Sequence, residues 1–240
     1  MRESEPSRAV GGGSKNVVGA YPSKKMGKSL QFESHSLELA GLYLKEHDKL
    51  VLEMYDQPHT MKISYLSLSG KSISHYYTPD YFVIYVDKGV FEEWKTEDEL
   101  CKLAKEKPGR YIKIDGVWHC PPGEEYARQF GLHFQIRSSS EINRIFLSNI
   151  VFLEDFFLHS KVELQGDTVE KIIDLVKKEP GILLINLLES FQENESDTIF
   201  FLIAREIIYV NIETDLLSEQ NYTHVYINNA VVKRFCNTVA

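Results

Sequence analysis

The chain has 240 residues, of which 43% are hydrophobic, and its formal net charge is −8 at pH 7. That length can hold one medium and one small domain with separate cores. No apolar run reaches the roughly 18 residues of a membrane-spanning helix, and no signal-peptide pattern follows the N-terminus, so we expect a cytoplasmic protein without membrane contact. Three cysteines without CxxC spacing (Cys101, Cys120 and Cys236) argue against a disulfide framework or a structural zinc site.

Residues 1–30 differ from the rest of the chain in charge. They carry six Lys and Arg against two Glu, which leaves the remaining residues strongly acidic. Gly and Ser are frequent here, as in Gly11-Gly12-Gly13-Ser14, and this composition is typical of flexible segments. We therefore predict a flexible basic arm over residues 1–30. A tail that only improves solubility is the alternative.

An apolar segment with one embedded acid follows. Leu37, Gly41 and Leu44 recur at helical spacing, and Ser34 is a candidate N-cap, so we predict a helix. Glu38 lies among these hydrophobic residues. A buried carboxylate is costly unless it is paired or binds a metal, which makes Glu38 a candidate site residue. The alternative is an acidic capping residue at the start of the helix.

A predicted β-hairpin carries the strongest chemical signal. Tyr77-Thr78-Pro79-Asp80 precedes an apolar strand at residues 81–86, Lys88-Gly89 marks a turn, and Glu93-Trp94-Lys95 lies on the second strand. Glu93 and Lys95 project from one face of that strand, beside the position of Asp80. Carboxylates bind Mg²⁺, and a nearby ammonium can orient an activated water. The pattern indicates a metal-dependent nuclease; a hairpin with surface charges is the alternative.

In this order, the residues resemble the TnsA-type endonuclease subunit of heteromeric cut-and-paste transposases, CRISPR-associated or related. The matching pieces are Ser36-Leu37-Glu38, Gln57-Pro58, Tyr77-Thr78-Pro79-Asp80 and Glu93-Trp94-Lys95. Residues 131–136 and 149–153 resemble the closing strand and helix of the family domain. There are two departures. Trp94 stands where the family has a small β-branched residue, and residues 110–123 look like an insertion.

The resemblance implies a restriction-endonuclease-like α/β fold over residues 31–159. It also implies Mg²⁺-dependent hydrolysis of DNA, with Mn²⁺ as a possible substitute, at the 5′ ends of a transposon during excision. By position, Glu38 and Asp80 are metal-site carboxylates, Glu93 is a further ligand at a family Gln or Glu position, and Lys95 is the catalytic lysine. Glu33 is the alternative helix acid if the alignment shifts.

The implied partners are transposon-end DNA, an integrase-like transposase subunit that is separate or fused, and an AAA+ ATPase regulator, all in a bacterial cytoplasm. Within this scheme the basic arm contacts DNA or the transposase. The acidic remainder suggests that partners deliver the DNA, because neutralisation of phosphates supplies most non-specific affinity.

Residues 160–240 predict a second, smaller domain. Asp167-Thr168 caps a helix that Pro180-Gly181 stops, helices follow at about residues 183–191 and 198–205, and β-rich runs follow at 207–213 and 224–228. Three short helices and a hairpin are typical of a winged helix. The third helix offers Arg205 but no Lys, Asn or Gln to recognise base edges. We therefore expect a domain that docks the ATPase and does not read DNA.

Two other functions stay open from the sequence. A stand-alone restriction or repair nuclease would use the same chemistry but would need its own recognition surface, which neither charge nor motif supplies. A decayed nuclease that serves as an assembly module is disfavoured by the intact set of Glu38, Asp80, Glu93 and Lys95.

Overall fold

The computed structural model describes residues 19–34, 37–158 and 166–229. The chain divides into two compact units, Met1–Ile142 and Asn143–Ala240. Among the described residues, no helix combines the length and apolar character required to cross a membrane.

The first unit is a mixed α/β structure around a four-stranded sheet. The sheet has the order β10-β7-β6-β3, with β3 (Val51–Asp56), β6 (Tyr81–Tyr85), β7 (Gly89–Lys95) and β10 (His133–Ser138). The β3–β6 and β6–β7 pairs are antiparallel, whereas β10 runs parallel to β7, so the sheet is mixed. The predicted hairpin over residues 81–95 is confirmed by the β6–β7 pairing.

The described part of this unit also contains three two-stranded hairpins and three α-helices. The hairpins pair β1 (Gly19–Ser23) with β2 (Lys28–Phe32), β4 (Met61–Leu66) with β5 (Ser72–Tyr77), and β8 (Ile112–Ile114) with β9 (Val117–His119). The helices are α1 (Glu38–His47), α2 (Glu97–Glu106) and α3 (Pro121–Arg128). The expected insertion at residues 110–123 therefore consists of the β8–β9 hairpin and the start of α3.

The predicted flexible arm does not extend through residue 30. Residues 1–18 lie outside the described residues, but residues 19–32 form the β1–β2 hairpin. Lys25, in the turn of this hairpin, donates to the backbone carbonyls of Lys45, Asp48 and Val51 at 2.7–2.9 Å. Since the last carbonyls of a helix lack intrahelical donors, this ammonium satisfies the end of α1. Part of the basic cluster thus stabilises the fold.

The predicted helix around Glu38 is confirmed, with a different start. Its N-cap is Leu37 without a side-chain cap, so Ser34 is not the capping residue. The Glu38 carboxylate instead accepts a 2.8 Å hydrogen bond from the backbone N–H of Glu33. Glu38 is therefore the acid on the helix, and Glu33 precedes it.

The second unit is mostly helical. It contains α4 (Arg144–Leu158), α5 (Gly166–Lys178), α6 (Leu184–Glu189) and α7 (Ser196–Ala204), and the short strands β11 (Ile182–Leu183) and β12 (His224–Val225). The three helices predicted after residue 160 correspond to α5, α6 and α7. Of the first β-rich run, only an isolated bridge between Tyr209 and Tyr226 forms. The strands β11 and β12 pair antiparallel.

The boundary between the units lies earlier than the expected boundary at residue 159. Leu153 of α4 is 1% exposed and belongs to the core that also contains Ile172, Leu202 and Leu217. Phe152 and Phe156 contact the ring of Phe200 on α7. Residues 149–153 resemble the closing helix of the nuclease domain in sequence, but Leu153 belongs to the second core, whereas Val151 and Phe152 are exposed.

Candidate active site

The pairing register of β6 and β7 brings Asp80 next to Glu93 on β7. Tyr81 pairs with Glu92, so Asp80 lies opposite Glu93 at the end of the β6–β7 pair. The backbone N–H of Asp80 donates to the carbonyl of Glu92 at 3.0 Å, and the backbone N–H of Trp94 donates to Oδ2 of Asp80 at 2.7 Å. The carboxylate of Asp80 is therefore fixed against the strand that carries Glu93 and Lys95.

The motif residues Gln57 and Pro58 follow β3, beside this position. The backbone N–H of Gln57 donates to the carbonyl of Asp80 at 2.9 Å, and Gln57 is buried with a positive φ of 43°. Positive φ is uncommon for residues other than glycine, so the chain makes a tight local turn here. Gln57 thereby helps to hold the backbone of Asp80.

Glu38 brings a further carboxylate to the same place. It is 9% exposed, and burial raises its pKa to about 7, with the charge of Asp80 as the next cause and that of Glu93 as a smaller one. The hydrogen bond from the Glu33 N–H opposes this shift. A like charge raises a carboxyl pKa only at short range, so Glu38 and Asp80 form an electrostatically coupled pair.

Lys95 is bound to carboxylates on two elements. Its Nζ lies 2.9 Å from Oε1 of Glu93 and 3.3 Å from Oε1 of Glu99 on α2. Burial by itself would lower the pKa of Lys95, but the charges of Glu93, Tyr111 and Glu99 and the hydrogen bond to Glu93 together outweigh this effect, so the pKa lies above its ordinary value. Burial raises the pKa of Glu93, although Lys95 opposes that rise. Lys95 is thus a permanent positive charge and not a proton acceptor near neutral pH.

The donor chemistry of the coupled pair fits a divalent cation. Glu38 and Asp80 supply only oxygen atoms, which Mg²⁺ and Mn²⁺ prefer, and a cation would relieve the repulsion that raises the pKa of Glu38. Within the part of the chain that the structure describes, however, no group of three or more His, Cys, Asp or Glu side chains is arranged to hold a metal. The predicted third ligand, Glu93, is instead paired with Lys95.

Trp94, the departure from the family pattern, is accommodated by a glycine on α1. A Cβ added at Gly41 would lie 2.8 Å from Cε2 of the Trp94 ring, which is closer than Cβ contacts occur. The indole is 4% exposed. The large side chain therefore sets the distance between α1 and β7, and only glycine at position 41 allows it.

The inserted segment acts on the Glu93–Lys95 pair through charge. The Arg110 guanidinium is buried, stacks on the rings of Tyr77 and Tyr111 at 4.5 and 4.8 Å, and donates to Nε2 of His75 at 2.9 Å. Burial lowers the pKa of His75, with the Arg110 charge as the next cause, which favours the neutral ring as acceptor. The Arg110 charge also opposes the rise that burial causes in the pKa of Glu93, so the insertion contributes to the electrostatics of the site.

A cavity of about 690 Å³ lies elsewhere in this unit. It is lined by residues of β9 and α3 and by consecutive residues 132–138 along β10. None of the four predicted site residues lines it. Its size is within the range of ligand pockets, but it contains none of the perturbed carboxylates that mark the candidate site.

Comparison with known protein families finds a match in this part of the chain. Residues 48–139 match the family described as TnsA-like endonuclease N terminal. This part of the chain is similar to a TnsA-like endonuclease domain. The match contains Asp80, Glu93 and Lys95 and confirms the resemblance drawn from the sequence, while Glu38 precedes the matched residues. No curated protein matches the chain at a significant level.

One residue of this region was missed by the sequence interpretation. Glu92 is completely buried on β7 and lies next to Glu93, yet the sequence interpretation assigns it no role. The signal was present, because adjacent residues of a strand face opposite sides and two adjacent acids in an apolar strand place a charge on each side. Only the fold shows that both sides are buried.

Proposed function

We propose that this chain is the metal-dependent DNA endonuclease subunit of a heteromeric transposase and that it cuts the 5′ ends of the transposon. The observation that carries the proposal is the convergence of Glu38 with Asp80, Glu93 and Lys95, the last three of which lie within the residues that match the TnsA-like endonuclease family. The mixed sheet around these residues is consistent with a restriction-endonuclease-like domain.

In this function Glu38 and Asp80 hold Mg²⁺, for which Mn²⁺ substitutes, and Glu93 lies beside them as a further carboxylate. The bound cation lowers the pKa of a water molecule and stabilises negative charge on the phosphate. Lys95 keeps its proton and faces the developing charge with a fixed ammonium, a kind of stabilisation that needs no rearrangement during the reaction. Glu93 and Glu99 hold Lys95 in that position.

The partners follow from the same assignment. An integrase-like subunit, separate or fused, cuts and joins the 3′ ends, and an AAA+ ATPase regulates assembly. When the 5′ cut fails and the 3′ cut continues, the products shift from excision to a copy-type cointegrate. DNA is delivered mainly by these partners, because the chain is acidic.

For the second unit we infer a winged-helix domain that docks the ATPase. The order α5, β11, α6, α7 and β12, with a bridge between Tyr209 and Tyr226, supports this fold. All residues from Thr198 to Ile203 on α7 are buried, so the helix that would read DNA in a winged helix belongs to the core. Residues 143–240 also contain nearly twice as many acidic as basic residues.

The nuclease proposal is tested by a strand-specific nicking assay. The full chain and its integrase-like partner are incubated with transposon-end DNA labelled on either strand, with Mg²⁺, Mn²⁺ or EDTA. We expect cutting at the 5′ ends that requires the metal and depends on this chain. Cutting that persists in EDTA, or no 5′ cut in any metal, would contradict the proposal.

The docking proposal needs a fragment that keeps the second core intact. A fragment of residues 143–240 retains α4 and Leu153, whereas one starting at residue 160 removes them. We expect fragment 143–240 to fold and to retain the ATPase in a pull-down, without a salt-dependent shift of DNA. Sequence-specific DNA binding by this fragment would overturn the docking assignment.

A further inference from the structure

A buried carboxylate lies behind the candidate active site. Glu92 is 0% exposed, and four side chains approach its carboxylate. Its oxygens lie 2.7 Å from Nζ of Lys45, accept hydrogen bonds from Oη of Tyr85 at 3.0 Å and from Nε1 of Trp94 at 3.2 Å, and lie 3.7 Å from Nη1 of Arg137. We call these five residues the Glu92 cluster.

The Glu92 cluster joins every element that carries a site residue. Lys45 lies on α1, which also carries Glu38. Tyr85 lies on β6, the strand that begins directly after Asp80. Glu92 itself lies on β7, which also carries Glu93 and Lys95. A buried carboxylate with several hydrogen bonds is costly to separate from its partners, because each group left unpaired in the interior loses its solvation without compensation. The elements are therefore held in one arrangement.

The geometry of α1 connects Lys45 to Glu38. The two residues are seven positions apart, which is about two helical turns, so they lie on the same face. Gly41, between them on that face, is the residue whose missing Cβ admits the Trp94 ring. The ammonium of Lys45 also lies 5.1 Å from the centroid of that ring. Fixing Lys45 and Gly41 against β7 thereby fixes the position of Glu38.

We propose that Glu92 is a positioning residue: through Lys45 it holds α1 so that Glu38 meets Asp80 at the end of β7. This inference rests on the proposed nuclease function. Glu92 itself does not touch DNA, since it is completely buried.

Arg137 provides a matched control for Lys45. Both cations approach the Glu92 carboxylate and both lie near the Trp94 ring, at 5.1 Å for Lys45 and 5.2 Å for Arg137. Arg137, however, lies on β10, which carries none of the four site residues. Removing either cation weakens the same cluster, but only removal of Lys45 releases the helix that carries Glu38.

The experiment compares Lys45→Met with Arg137→Met in the full chain. Steady-state nicking of transposon-end DNA with the partner subunit gives kcat and KM, and hydrogen exchange followed by mass spectrometry reports the mobility of α1 and β10 without any catalysis. We expect Lys45→Met to lower kcat about 10- to 100-fold with KM for DNA unchanged, the scale seen when positioning groups are displaced. Exchange in α1 should accelerate. Arg137→Met should change kcat less than about threefold and accelerate exchange in β10 instead.

If Lys45→Met does not fold, the double variant Lys45→Met/Glu92→Gln is measured, because removal of both charges leaves no buried carboxylate without its lysine. It should fold, retain KM and keep the low kcat. Equal losses of kcat in the Lys45 and Arg137 variants, or wild-type kcat in the double variant, would overturn the positioning role. Absence of cutting by the wild type would refute the proposed function instead, while the exchange data would still test the link between Lys45 and α1.

Discussion

The two compact units bury different kinds of polar residue. In the described part of the first unit, Glu38, Lys45, Asp56, Glu92, Glu93 and Arg110 are buried charged residues, whereas the buried polar residues of the second are Asn149, Thr168, Thr198 and Thr223, all neutral. Burial of charge costs more than burial of a hydrogen-bonded amide or hydroxyl. The first unit therefore bears a free-energy cost of charge burial that the second unit avoids. We attribute this difference to the chemistry of the proposed active site.

The strongest test of this comparison is Asp80→Ala. We expect loss of 5′-strand cutting by at least about 10³-fold, because a metal ligand contributes several kcal/mol in the transition state. Far-UV circular dichroism should remain unchanged. The control is Asp87→Ala, which removes an exposed carboxylate from the β6–β7 turn and should cut normally. Full activity of Asp80→Ala would show that Asp80, whose charge acts on the buried Glu38, is not needed for cutting.

Lys95→Ala should have the next largest effect. Cutting should slow by roughly 10²-fold, the scale for a preorganised electrostatic group, while binding of DNA and metal persists. The exposed Lys105 on α2 is the control position, with little effect expected from Lys105→Ala. Single-turnover kinetics measure cutting, and metal titration measures metal affinity. A loss of metal affinity in Lys95→Ala as severe as that in Asp80→Ala would contradict the assigned role.

In the second unit, Asn149→Leu should lower stability. The Asn149 amide donates to the carbonyls of Ile212 and Asp215 and accepts from the N–H of Leu217, each at 2.8 Å. We expect a loss of about 2–4 kcal/mol in the free energy of unfolding, because several buried backbone groups lose their partners.

Urea denaturation measures this loss, with Ser148→Ala, at the exposed neighbouring position, as the control. A change below about 0.5 kcal/mol, the usual limit for surface substitutions, would mean that the buried amide is dispensable.

The smallest expected effect is a gain of stability in Glu38→Gln. The pKa of Glu38 is about 7 in the folded chain against an ordinary 4.5, so its favourable contribution is complete below pH 4.5 and is lost as pH rises through 7. At pH 8 in EDTA, the variant should exceed the wild type by about 1–3 kcal/mol, following the free-energy equivalent of such a shift.

At pH 4, below the ordinary pKa of 4.5, the difference should nearly disappear. Glu125→Gln, at an exposed position of α3, should show no such pH dependence. Thermal unfolding across this pH range decides the point, and equal stability of Glu38→Gln and wild type at pH 8 would contradict it. A gain in stability together with a loss of cutting would show that the site is maintained at the expense of stability.

The sequence by itself determined the local elements and the motif. Alternation over residues 81–95 predicted the β6–β7 hairpin, and the Pro-Asp and Glu-x-Lys pieces led to the family that residues 48–139 match. These signals are local, because strand periodicity, turn residues and short motifs depend on neighbours in the chain. The helix that carries Glu38 was also predictable from its apolar spacing.

Only the tertiary structure decided which side chains of different elements contact one another. The role of Glu92 depends on Lys45, Tyr85 and Arg137, which come from three other elements and have no fixed spacing in the sequence. Lys25 belongs to a basic cluster by composition, but its position at the end of α1 makes it a helix cap. The placement of α4 in the second core was likewise undecided, because an apolar helix face does not specify which core it joins. Contacts of this kind join residues that are far apart in the sequence. The sequence pattern indicates only that one face of a helix or strand is buried.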